Sequence, residues 1–190
     1  MRIPGTEGLL LASAGCLVLL ASCGRPESGD DRGAMAEPSI AELRSATFHK
    51  IYDEPLTLVD GRWEGLPFTE GGSSRPRAGI ADVFYAAGDL DGDGNGEAAV
   101  IIWENSGGSG SYHYLAVSRR ENEEIVNVDT VLVEDRPKIL SLHISDRQVV
   151  LELIQHGPDE PACCPTQHAL RRWQIVEGKL AEQAVEIVQP

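Results

Sequence analysis

Four carboxylates fall within nine residues in Gly88-Asp-Leu-Asp-Gly-Asp-Gly-Asn-Gly-Glu97: Asp89, Asp91, Asp93 and Glu97, at positions 1, 3, 5 and 9. Packed this closely they repel one another unless a positive charge compensates. The chemistry they suit is the holding of a hard cation. Calcium fits best, since it takes about six to eight oxygens from carboxylates, carbonyls and water. Gly92, Gly94 and Gly96 allow the sharp turns that wrapping an ion requires. An EF-hand is excluded: position 12 is Val100 rather than a bidentate Glu, and both flanks have the pattern of strands. The alternative is a solvated Asp-Gly turn without metal.

The D-x-D-x-D-G-x-x-[DE] spacing resembles the strand–loop–strand calcium sites of integrin-type FG-GAP repeats. The resemblance implies side-chain oxygens from Asp89, Asp91, Asp93 and Glu97 and a backbone carbonyl from Asn95. Glu97 stands where Asp is usual. One copy is unlike the repeated array of a propeller, so the fold does not carry over. The expected role is structural, tying the two flanking strands. A dissociation constant of roughly 10⁻⁴–10⁻³ M is typical of extracellular calcium modules. Magnesium suits the loop less well, because it keeps its waters and demands stricter octahedral geometry.

A second group is Cys163-Cys164, in Pro161-Ala-Cys-Cys-Pro-Thr166. Outside the cytoplasm two thiols tend to pair. Neighbouring Cα atoms lie about 3.8 Å apart, short of the ~4.4–6.8 Å span usual for a disulfide. The readings are a vicinal disulfide that rigidifies the loop or senses redox state, a metal site completed by His156 and His168, and unpaired or intermolecular thiols. Other groups carry less. Ser106–Ser111 has glycines but lacks the Lys and following helix of a P-loop, and residue 111 is Ser rather than the Gly of a nucleophile elbow. His49, His113 and His143 are isolated in sequence. Asp82 is either a carboxylate behind the acidic loop or an exposed one. Trp63, Trp103 and Trp173 read as core or sheet-face aromatics.

The elements that must position these groups are mainly strands. Ser39-Ile-Ala-Glu42 is a capping box and opens a short helix over roughly residues 39–47. Asp60-Gly61 between two short runs marks a tight hairpin. Ile80–Ala87 leads into the acidic loop, and Ala98–Glu104 leads out. The second run is apolar on both faces, which places it centrally in a sheet. Strands follow at Tyr112–Ser118, Ile125–Val133, Ile139–Ser145, Gln148–Gln155, Ala169–Val176 and Lys179–Val188, the last with a frayed helix as the alternative. Short turns between them imply antiparallel neighbours. The expected fold is a single antiparallel β domain over residues 39–190, as a meander, sandwich or barrel-like sheet.

The chain begins with an apolar run, Leu9–Ala21, too short and too rich in small residues for a membrane span. It ends in Leu20-Ala21-Ser22-Cys23, which resembles the lipobox of bacterial lipoproteins. The resemblance implies cleavage of residues 1–22 and lipidation of Cys23, so that the membrane is a partner through the lipid. Gly24, rather than Asp, then points to the outer membrane facing the periplasm in a Gram-negative cell. Residues 23–38 read as the lipidated cysteine and a flexible tether. A net charge of −14 argues against nucleic acid or anionic lipid as partners, and the 42% apolar content is enough for a core.

The stretches 88–117 and 155–167, together with the lipobox, resemble a group of bacterial lipoproteins and secreted proteins of unknown function. The resemblance implies an envelope protein with one calcium-type loop and a CCPT motif, and no reaction. The expectation is therefore a lipid-anchored, calcium-stabilised binding or structural module. The alternatives are an envelope metal-dependent hydrolase, and a redox or metal sensor acting through Cys163 and Cys164.

Overall fold

A computed structural model describes residues 35–189. Cys23, the lipobox and most of the tether lie outside these residues. The capping box forms as read: Ser39 Oγ accepts from the Glu42 amide, and the Glu42 carboxylate accepts from the Ser39 amide. The helix, α1 (Ile40–Leu43), is a single turn and stops well short of residue 47. The following residues leave it for strand β1 (Thr47–Phe48), which pairs with β2 (Leu56–Thr57). Among the described residues no helix is long and apolar enough to cross a membrane.

Everything after this is antiparallel sheet. Strands β3 (Arg62–Glu64), β4 (Arg77–Gly88), β5 (Glu97–Asn105), β6 (Tyr112–Glu121) and β7 (Glu124–Asp135) form a five-stranded meander in chain order. Strands β8 (Lys138–Ser145), β9 (Gln148–Gln155), β10 (Gln167–Val176) and β11 (Lys179–Ile187) form a four-stranded one. The last segment is thus a strand, not a helix. It pairs along β10 from Val176↔Lys179 to Ala169↔Ile187.

The two sheets pack face to face. Alternation along β5 explains the arrangement. Ala99 and Ile101 point toward the four-stranded sheet and join Leu115, Val117, Val149, Leu151, Leu153 and Trp173 in one core. Ala98, Val100 and Ile102 point the other way and meet Leu43, Phe48, Leu56 and Leu58 from the N-terminal segment. The central sheet is therefore covered on both faces. That is why β5 carries an unbroken apolar run, as its central position required.

Between Ile80 and Tyr85 the β4–β5 register slips, so that residues 81–84 face Ile101 alone. After this irregularity β4 pairs cleanly up to Gly88↔Glu97, the two residues that close the acidic loop. Asp82 sits in the bulged segment and pairs with Arg44. It takes no part in the loop.

Candidate metal centre

The acidic loop joins β4 to β5 at one end of the sandwich. Glu97 is the first residue of β5, in step with Ala99 and Ile101, so its side chain is directed into the inter-sheet core and is fully buried. Its Oε2 accepts from the Leu90 amide at 2.7 Å. Leu90 is itself a buried member of that core and anchors the loop from inside. The other carboxylate oxygen, Oε1, is buried with no hydrogen-bond partner among the described residues. Burial pushes the Glu97 carboxyl above its usual range. The Leu90 amide opposes this, and the neighbouring aspartates add to it.

Ligand oxygens of Asp89, Asp91 and Glu97 all lie within 4.8 Å of one another, the group among the described residues best placed to share a cation. Asp93 goes elsewhere. Its two oxygens accept from the Asn95 amide at 2.7 Å and from Asn95 Nδ2 at 3.0 Å. These bonds hold its carboxyl below the ordinary range. Asp89 also braces the loop, accepting from the Gly92 and Gly94 amides. Gly92 and Gly94 adopt φ of +85° and +88°, which only glycine takes without strain. Gly96 has no such conformation. It is needed for close approach: a Cβ there would lie 2.8 Å from Glu37 Cβ.

Two guanidiniums reach the loop from other elements. Arg147, in the β8–β9 hairpin, donates to the Asp91 carbonyl at 2.9 Å and lies against Gly92, where a Cβ would be 2.6 Å from Arg147 Cζ. Arg119 of β6 is 3.9 Å from the Asp91 carboxylate. Both offset part of the loop's negative charge and join it to both sheets. The loop offers only oxygen donors, which favours a hard cation. One of them is a desolvated carboxylate oxygen that nothing else satisfies, a costly arrangement without a partner.

The cysteine loop is organised differently. Cys163 and Cys164 form a disulfide and are exposed. Glu160 closes the loop, accepting from Thr166 Oγ1, the Thr166 amide and the Gly157 amide. The first of these contributes most to keeping its carboxyl below the usual range. The two histidines do not converge on the sulfurs. His168 Nε2 lies 2.8 Å from Glu152 Oε1, and His156 Nδ1 lies 3.6 Å from Glu134. A two-nitrogen, two-sulfur metal site is therefore not assembled: the sulfurs are bonded to each other, His168 is held by Glu152, and His156 lies near Glu134 with its Nε2 buried and unpartnered among the described residues.

The Ser106–Ser111 connection is a braced hairpin loop. Asn105 Nδ2 donates to the carbonyls of Gly108 and Gly110, and its Oδ1 accepts from Gly107. Two buried acids were not singled out from the sequence. Glu104 accepts from Tyr52 Oη at 2.8 Å and from Ser106 Oγ. Asp129 accepts from the amides of Thr130 and Leu180 and from Lys50 Nζ. The available signal was Asn127 and Asp129, polar residues two apart on one face of an otherwise apolar strand. No protein family, curated protein or solved structure matches the chain.

Proposed function

We propose that this chain is a lipid-anchored cell-envelope protein whose β domain binds one calcium ion through Asp89, Asp91 and Glu97. It acts as a structural or binding module rather than through catalysis. The ion serves as a clasp: it joins the first residue of β5 to the loop that leaves β4, at the end of the sandwich where Arg119 and Arg147 also meet that loop. The observation that carries this reading is the buried, unpartnered Oε1 of Glu97 beside two further carboxylates. Calcium is favoured over magnesium because oxygens supplied by one glycine-rich loop suit its looser coordination. Asp93, expected as a ligand, accepts from the Asn95 amides and braces the loop from within, and the Asn95 backbone carbonyl stays a proposed ligand. The anchor rests on Leu20-Ala21-Ser22-Cys23.

Calorimetry on the mature protein should show one calcium site with a dissociation constant of roughly 10⁻⁴–10⁻³ M. Magnesium should bind more weakly. Chelator should lower the melting temperature. Absence of calcium heat together with an unchanged melt would overturn the metal reading. In cell fractions Cys23→Ala should move the protein from membrane to soluble; persistence in the membrane would overturn the anchor.

A further inference from the structure

The residues just before the helix are docked onto the acidic loop. The Met35 amide donates to Asn95 Oδ1 at 2.9 Å. The Ala36 carbonyl accepts from Arg120 Nε at 3.2 Å. Glu37 Cβ lies over Gly96, where no side chain would fit. Pro38 is buried, and its carbonyl accepts from Tyr85 Oη at 3.0 Å. Arg120 continues the tie by donating Nη2 to Glu42 Oε1 at 2.7 Å. Met35–Pro38, read from sequence as the end of a free tether, is thus a strap across the loop. A cavity of about 280 Å³ lies between them, lined by Glu37, Asp89 and Asn95 among others.

Asn95 is the hinge of this arrangement. Its backbone and side-chain amides are both held by Asp93, and that grip leaves its Oδ1 free to take the Met35 amide. The loop shape that gathers the carboxylates of Asp89, Asp91 and Glu97 is therefore the same shape that presents Asn95 to the strap. A ligand that favours one conformation raises the population of every contact belonging to it.

We infer that cation binding at the loop and docking of Met35–Pro38 are coupled, so that calcium fixes Met35–Pro38 against the loop. This rests on the calcium reading above. An occupied loop holds the strap down. An empty loop, opened by carboxylate repulsion, lets Met35–Glu37 detach. Coupling is reciprocal, so losing the strap must weaken calcium binding by the factor with which calcium protects the strap.

The test uses the full mature chain. Hydrogen exchange at the Met35 amide, the strap's donor to Asn95, is followed with calcium and with chelator, beside calorimetry on the same samples. Calcium is expected to slow exchange there by about tenfold, within the usual range of such couplings. Met35→Pro removes the donor to Asn95 without touching the loop. It is expected to weaken calcium by at most the same factor, since the Ala36 and Pro38 contacts remain. Calcium binding with unchanged or faster strap exchange would overturn the coupling while leaving the metal reading intact. So would unaltered affinity in Met35→Pro. Absence of calcium binding in the parent chain would overturn both.

Discussion

Glu97→Gln is expected to lose calcium-dependent stabilisation and, in chelator, to melt above the parent chain. The change of sign follows from the burial of Glu97. Without a cation, a fully buried carboxylate has one oxygen with no hydrogen-bond partner and stands close to the acids Asp89 and Asp91. Glutamine keeps an oxygen for the Leu90 amide and removes the charge. Its amide nitrogen then faces carboxylate oxygens that can accept from it. With a cation the order reverses. At about one hundred times the dissociation constant, calcium stabilises a chain that binds it by about 2.7 kcal/mol. For a chain of this size that is roughly 5–10 °C in melting temperature. Thermal melts of both proteins, with excess calcium and with chelator, read the four values. A glutamine variant that melts lower than the parent by the same amount in both conditions would show Glu97 to be a structural acid with no cation.

Asp129→Ala is expected to be among the most damaging single changes at a polar position. This carboxylate joins three parts of the fold. It takes the Thr130 amide at 2.9 Å in its own strand and the Leu180 amide at 2.8 Å from β11 of the other sheet. Lys50 Nζ, from the N-terminal layer, lies 2.5 Å away. The pairing of β6 with β7 slips here, from Val117↔Asp129 to Ser118↔Asn127, and the resulting bulge turns Asp129 toward β11. Alanine would orphan two buried amides at about 1–3 kcal/mol each. The expected loss is therefore about 2–6 kcal/mol in urea unfolding. Lys50→Ala should cost no more than about 1 kcal/mol, because the Lys50 side chain is 56% exposed and the pair is solvent-screened on that side. Equal losses in the two variants would mean that the ion pair, not the backbone amides, is what Asp129 supplies.

The cysteine loop makes a useful contrast with the acidic one. Both are sequence motifs dense in potential ligands. In the acidic loop, β5 carries one ligand inward and leaves an oxygen unsatisfied. In the cysteine loop most groups have a protein partner, sulfur with sulfur, His168 with Glu152, and Glu160 with Thr166 and Gly157, while Nε2 of His156 is buried without one among the described residues. Residue types alone do not separate these two cases, whereas convergence does: a carboxylate oxygen of Glu97, whose Oε1 is unsatisfied, lies within 4.8 Å of two further carboxylates, and the cysteine loop gathers no such group among the described residues.

Much of this protein was legible in its sequence because the relevant physics is local. Alternation with period two marked the strands. Asp60-Gly61 marked a hairpin, where left-handed backbone is observed at both residues. Ser39 and Glu42 marked the start of the helix. The carboxylate spacing of the acidic loop marked a candidate cation site. The helix was over-extended because its apolar spacing continued while the chain left for a strand, a choice made by packing against the central sheet. What only the tertiary structure decided depends on distant chain segments meeting. Glu97, the residue that departs from the FG-GAP pattern, is the most deeply placed acid of the loop because it opens a strand whose face is covered by the other sheet. Asp93 is turned to Asn95 instead of toward the other three acids. Gly96 is a glycine because Glu37 lies on it, and Arg147 reaches Asp91 from a hairpin 56 residues away. No periodicity along the chain records such contacts, since each is fixed by how two sheets and an N-terminal strap close on the same loop.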